Sequence, residues 1–312
     1  MAICLRRLIP LATITMLVAG VLMLVGPAGA TVPGANGLIL WARFNPDLGD
    51  DDIYIANPDG TNEHRVWGPS ECPRWSPDGD RILLPGITII NWDGSNPVFF
   101  SSATTQNFGC AIWSADGSRV AFESWDDTDP NFVPGIFSIR SSDGGDLKRL
   151  TASPFGSHDI PGDYSPDGTK LAFLRGPALN RKNLGAVFIA NADGTNARQI
   201  TPWGLRVGDF APRWSPDGSR LVFVANHSLF LVNPDGSRLR ELFQDTGGNL
   251  DLAPAWSPDG SKIIFVRIVF MGRSFQRSLY TINADGTGLT PIIGPHTSGP
   301  VGGPDWGVHP LQ

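Results

Sequence analysis

The chain has 312 residues and a formal net charge of −6. That length suits one large domain or two ordinary ones, and the mild acidity argues against a nucleic-acid binder, which carries a basic footprint. Gly (37) and Pro (27) are abundant while 41% of residues are hydrophobic, so the chain buries a core yet turns often, as in a turn-dense all-β protein and unlike a disordered one.

The first element is a charged start, Arg6 and Arg7, followed by an apolar run over residues 8–25 and by Gly26-Pro27-Ala28-Gly29-Ala30. This reads as a secretory signal peptide over residues 1–30, cut after Ala30, with residues 31–312 as the mature domain. The rival is an uncleaved anchor helix, because the run is just long enough to span a bilayer. Cys4 precedes the run and so is not a lipoprotein acylation site, and the residues flanking Arg6-Arg7 match a twin-arginine signal poorly. Export implies a secreted or periplasmic protein, in which Cys72 and Cys110 remain as a candidate disulfide.

From residue 38 onward two turn motifs alternate. The first is Trp75-Ser76-Pro77-Asp78-Gly79, repeated around Trp113, Asp116 and Gly117, around Tyr164, Asp167 and Gly168, around Trp214, Asp217 and Gly218, and around Trp256, Asp259 and Gly260. A partial copy ends at Trp306. The second runs Asn57-Pro58-Asp59-Gly60-Thr61 and recurs at Asp93-Gly94, Asp143-Gly144, Asp193-Gly194, Asp235-Gly236 and Asp285-Gly286. Pro presets φ, Asp bonds its own backbone and Gly takes the left-handed position, so both are hairpin turns. Strand-like runs flank them, such as Leu221-Val222-Phe223-Val224 and Ile263-Ile264-Phe265-Val266. Each unit is therefore a four-stranded antiparallel blade, at a spacing that suits a propeller. Residues 38–67 supply three strands without the Trp-bearing first one, and Asp305-Trp306 supplies that one. The expectation is an all-β, six-bladed β-propeller whose ring is closed by a C-terminal strand joining the N-terminal blade.

The boxes, the Asn-x-Asp-Gly-Thr turns and strand ends such as Arg149-Leu150-Thr151 resemble the TolB-like family of PD40, WD40-like repeats. The resemblance covers almost all of residues 38–307. It implies the propeller fold and a channel mouth where partner peptides bind, but one fold hosts many functions. The chain departs from the TolB translocation protein in having no room for the extra α/β domain before the propeller.

The box aromatics and aspartates read as inter-blade packing and turn bonding rather than as a repeated ligand site. Five residues before each aromatic stand Ser70, Phe108, Asp159, Asp209, Asp251 and Val301. Three neighbouring aspartates there would form an acidic arc at the channel mouth, suited to a Lys or Arg side chain or a cation; alternatively each caps a turn or pairs with an arginine such as Arg206. The variable loops are sorted by charge. Asp47, Asp50, Asp51 and Asp52 are acidic, as are Glu123, Asp126, Asp127 and Asp129, whereas Arg175, Arg181, Lys182, Arg267, Arg273 and Arg277 are basic. Neither acidic cluster has the order of a calcium loop. Cys72 and Cys110 each lie three before their Trp, so symmetry points their side chains the same way around the ring and opposes a bond that export favours.

Catalytic signals are sparse: there is no Gly-x-Ser-x-Gly elbow, and the five histidines show no metal-ligand spacing. The expectation is an exported, non-catalytic, monomeric scaffold without cofactor or metal. It would bind a protein or peptide of the envelope or exterior at the loop-rich rim and channel mouth, and touch the membrane only through an uncleaved signal segment. The alternative is a hydrolase or lyase acting on a carbohydrate or ester through channel carboxylates, with or without a metal, His158 and Asp159 being its candidate residues.

Overall fold

In a computed structural model, the structure describes residues 33–100, 110–125, 133–154, 156–177, 185–208, 210–243, 245, 247–296 and 301–311. The expected signal segment 1–30, Asp209, Arg181, Lys182, Asp126, Asp127, Asp129 and Phe108 lie outside them.

The turn boxes fold as their chemistry dictates. In the first motif the Asp accepts from the Ser two residues before it and from a backbone amide two residues after it. Asp217, for example, takes Ser215 Oγ at 2.6 Å and Ser219 N at 3.0 Å. The box glycines sit at φ of 69–76°, where a Cβ is disfavoured. Each turn thus reverses the chain tightly, and the β-branched and aromatic runs between turns pair as antiparallel strands.

Twenty-four strands result among the described residues. Blade 1 begins with β1 (Ile39–Asn45), β2 (Asp50–Ala56) and β3 (His64–Trp67). Blade 2 holds β4 (Arg74–Trp75), β5 (Arg81–Leu84), β6 (Thr88–Asn91) and β7 (Val98–Phe99); blade 3 holds β8 (Ala111–Trp113), β9 (Arg119–Trp125), β10 (Pro134–Arg140) and β11 (Lys148–Arg149). Blade 4 holds β12 (Ser157–Tyr164), β13 (Lys170–Pro177), β14 (Ala186–Asn191) and β15 (Arg198–Gln199). Blade 5 holds β16 (Arg213–Trp214), β17 (Leu221–Ala225), β18 (Ser228–Val232) and β19 (Arg240–Glu241). Blade 6 holds β20 (Leu250–Trp256), β21 (Lys262–Met271), β22 (Ser274–Asn283) and β23 (Thr290–His296), and β24 (Val301–Trp306) completes blade 1 from the C-terminal side. The fold is a six-bladed, all-β propeller with four antiparallel strands in every blade.

The ring closes where β24 pairs antiparallel with β1, Ile39 opposite Trp306 and Leu40 opposite Asp305. Gly37 N donates to Gly307 O and Gly307 N to Leu38 O, both at 3.0 Å, and the Trp306 indole donates to Gly37 O at 3.0 Å. The sheet edge that β1 would expose is therefore covered by the chain's own last strand.

The core lies between blades. Six apolar clusters each join two successive sheets, and each contains one box aromatic: Trp75 between blades 1 and 2, then Trp113, Tyr164, Trp214 and Trp256 in turn, and Trp306 between blades 6 and 1. All six are at most 6% exposed. A sheet with two apolar faces needs a neighbour on each, and only a closed ring supplies both to every blade.

Cys72 and Cys110 form a disulfide with their Cα atoms 5.7 Å apart. The symmetry argument against this bond fails for a local reason: Cys72 has a left-handed backbone, φ 46°, so equivalent sequence positions do not share a side-chain direction.

Candidate functional site

The innermost strands β24, β4, β8, β12, β16 and β20 surround the central channel, each touching the next around the ring. The residue just before each box aromatic is Arg74, Ile112, Asp163, Arg213, Ala255 or Asp305. Four of these are charged, and they close the channel's waist. Arg213 Nη2 donates to Asp305 Oδ1 at 2.7 Å, and its Nε lies 3.4 Å from Asp163 Oδ2. Asp305 also accepts from the backbone amide of Trp75 at 2.8 Å, and Asp163 from that of Trp214 at 3.3 Å. Each aspartate thereby clasps the next blade's inner strand. Arg74 lines the same waist, and the space left there is about 10 Å³, too small to pass a solute.

Above this plug, on the rim of variable loops, the channel widens into a cavity of about 280 Å³. Every blade contributes to it. Ile160, Pro161, Phe210, Ala253 and Pro254 form apolar wall, the Cys72–Cys110 bridge forms another side, and Arg74 lies at its base. Asp51 and Glu71 give it an acidic lip. Burial, then the charges of Glu71 and Asp50, push the Asp51 carboxyl up to about 6 against the opposing pull of Arg277.

The expected acidic arc is not an open row of carboxylates. Asp159 is fully buried and takes a bidentate pair from Arg175 at 2.6 and 2.7 Å. Asp251 is 1% exposed, with Arg267 Nε 3.4 Å away. Arg267 in turn reaches Asp245 at 2.9 Å. Both pairs follow from register, since Asp159 stands opposite Arg175 and Asp251 opposite Arg267 on neighbouring strands. Two arginines read as basic loop residues are thus cross-strand partners of two aspartates read as a channel arc. At Asp251 burial outweighs Arg267, and with Asp245 nearby the carboxyl is pushed up to about 7.

The catalytic pair expected from His158 and Asp159 also changes. Asp159 is committed to Arg175 and faces no solvent, whereas Glu123 on β9 is only half-buried and is pushed up to about 7 by burial and by the charge of Asp159. In the Asp47–Asp52 loop region, Asp52 is fully buried and tied to Arg65 at 2.9 Å and to Asn45 at 2.8 Å. Among the described residues no three His, Cys, Asp or Glu side chains converge to hold a metal ion. The waist residues Arg74, Asp163, Arg213 and Asp305 were missed, although a signal existed: charge at the position before a box aromatic in four blades of six.

No family model matches the sequence, and no curated protein matches it either. Solved structures do. TolB from Acinetobacter baumannii superposes with a TM-score of 0.68 at 20% identity, over 88% of this chain and 68% of that one. A structure assigned as TolB from Agrobacterium tumefaciens gives 0.59 at 21%, over 85% and 92%. An oligogalacturonate lyase from Vibrio parahaemolyticus gives 0.55 at 14%, over 86% and 78%. These likenesses are of fold, and in fold this chain is a TolB-like six-bladed β-propeller.

Proposed function

We propose that the chain is an exported, non-catalytic propeller that binds a protein or peptide partner at the channel mouth. The observation that carries this reading is the blind cavity of about 280 Å³ framed by all six blades. Its size suits one inserted side chain or a short peptide end. Its apolar wall offers burial, and the Asp51–Glu71 lip favours a cationic residue beside the inserted group. The likeness to TolB propellers supports the same choice, as does the N-terminal signal-like segment for export. Selection from a displayed random-peptide library would test it. Binders should be enriched in Lys or Arg next to an apolar residue, and Ala211→Trp, which fills the cavity, should abolish their capture. Peptides that bound the filled variant equally well would overturn the reading.

A second reading has one observation in its favour. Glu123 lies between protonation states near neutrality, beside the Asp159–Arg175 pair, as a general acid or base for a carbohydrate or ester would. The oligogalacturonate lyases share the fold only. Loss of a screened hydrolase or lyase activity in Glu123→Gln would establish this reading, and an unaffected activity would remove it.

A further inference from the structure

A second cavity lies on the Asp-Gly rim, opposite the channel mouth. Three inter-blade clefts on this rim, between blades 2 and 3, 4 and 5, and 5 and 6, share a packing contact. The box Pro of one blade packs on the box Gly of the next: Pro77 on Gly117, Pro166 on Gly218 and Pro216 on Gly260, each at 3.6–3.7 Å from where a Cβ on the glycine would stand. In two of them an arginine six residues after the box aromatic reaches over the next blade's aromatic, Arg81 over Trp113 at 4.9 Å and Arg220 over Trp256 at 5.1 Å, whereas blade 4 has Lys170 at that position. At the cleft between blades 3 and 4 all three parts change at once. Ala115 stands where the Pro should be, Tyr164 where the Trp should be, and the equivalent Arg119 is turned to Asp146 at 2.7 Å and to Ser138 at 3.1 Å.

The result is a cavity of about 720 Å³, against about 250 Å³ for the cleft between blades 5 and 6. The larger volume lies within the range of sites for small organic ligands. Tyr164, 4% exposed, lines it. The charged lining is balanced and already engaged. Arg119 and Lys148 share Asp146, while Asp116, Asp167 and Asp193 accept from Ser114, Ser165 and Thr195 within their own turns. An ionic ligand would lose hydration and meet no net opposite charge.

We propose that this cleft binds an uncharged aromatic or alicyclic small molecule, its ring against Ala115, Leu150 and Tyr164 and one polar group hydrogen-bonded to the Tyr164 hydroxyl. The site is separate from the channel mouth, so the two can fail independently.

The test is calorimetric titration of residues 31–312 with three probes of one shape: 2-naphthol, 2-naphthoate and 2-naphthylmethylamine. Saturable one-to-one binding of 2-naphthol is expected, at least tenfold tighter than either charged probe. Tyr164→Phe should weaken it about threefold to tenfold. Tyr164→Trp installs the residue that the other five blades carry and should abolish binding with the circular dichroism spectrum unchanged. Ala115→Leu fills the cleft from the opposite wall and should do the same, so that the test does not hang on one position. Absence of saturable 2-naphthol binding, equal binding of a charged probe, or wild-type affinity in both filled variants would overturn the proposal.

Discussion

The clefts between blades 3 and 4 and between blades 5 and 6 share one backbone plan and end in different states. In the second, Pro216 packs on Gly260, Arg220 lies over Trp256, and Pro33 and Gly34 line the remaining space. In the first, Ala115, Tyr164 and a diverted Arg119 leave a space nearly three times as large (about 720 against 250 Å³). A repeat tolerates such a local departure because, away from the channel's waist, each blade packs on its two neighbours. Volume lost at one interface is therefore not corrected at another, and it remains as a cavity.

The comparison is broken most forcefully by truncating both aromatics. Trp256→Ala should cost about 3–5 kcal/mol in urea unfolding. Tyr164→Ala should cost at least about 1 kcal/mol less, since its cleft is already open and the smaller ring buries less surface. Equal losses would mean that the two clefts pack alike.

The opposite rim supplies a contrast in charge. In the cleft, the Ser165 hydroxyl holds Asp167 below the usual carboxylate range and the Thr195 hydroxyl does so for Asp193, whereas Asp251 is pushed up to about 7. A carboxyl raised in the folded state binds its proton more tightly there than in the unfolded chain. Its contribution is full below about pH 4 and is lost as the pH rises through 7, a fall of about 2–4 kcal/mol across that window. Unfolding free energies measured from pH 4 to 8 should decline less steeply in Asp251→Asn than in the wild type. Parallel curves would show that Asp251 does not titrate in this window.

Exchanging the two aromatics sharpens the comparison further. Tyr164→Trp should stabilise by about 0.5–2 kcal/mol as a cavity-filling change, and Trp256→Tyr should destabilise by about 1–2 kcal/mol. Opposite signs are the expected outcome of thermal melts on the pair.

The smallest effect belongs to Ala115→Pro. It restores the residue found at this box position in blades 2, 4, 5 and 6, and should stabilise by about 0.4–1 kcal/mol by restricting the unfolded chain. A loss of stability would show that the blade 3 turn has a different backbone from the others.

Much of this was legible in the residues. Turn chemistry is local: Pro, Asp and Gly at fixed offsets set φ and satisfy the backbone within five residues, so the boxes, the hairpins and the count of six blades followed from spacing. Ala115 and Tyr164 were visible as departures in two separate boxes. That they face each other was not, because the box proline of one blade meets the box glycine of the next about forty residues away, a contact that exists only in the closed ring.

Charge pairing was hidden for the same reason. Asp159 and Asp251 looked like an open acidic arc because residues were compared between blades along the sequence, whereas their partners Arg175 and Arg267 lie across the strand pair within each blade. Arg74, Asp163, Arg213 and Asp305 come from four different blades, and only the convergence of the inner strands joins them into one plug. Sequence alone determined the elements, their number and their pairing within a blade, since those depend on neighbours along the chain. Tertiary structure decided which charges are neutralised, where the channel is blocked and which cleft stays open, because each of these depends on groups that meet only when six blades close around an axis.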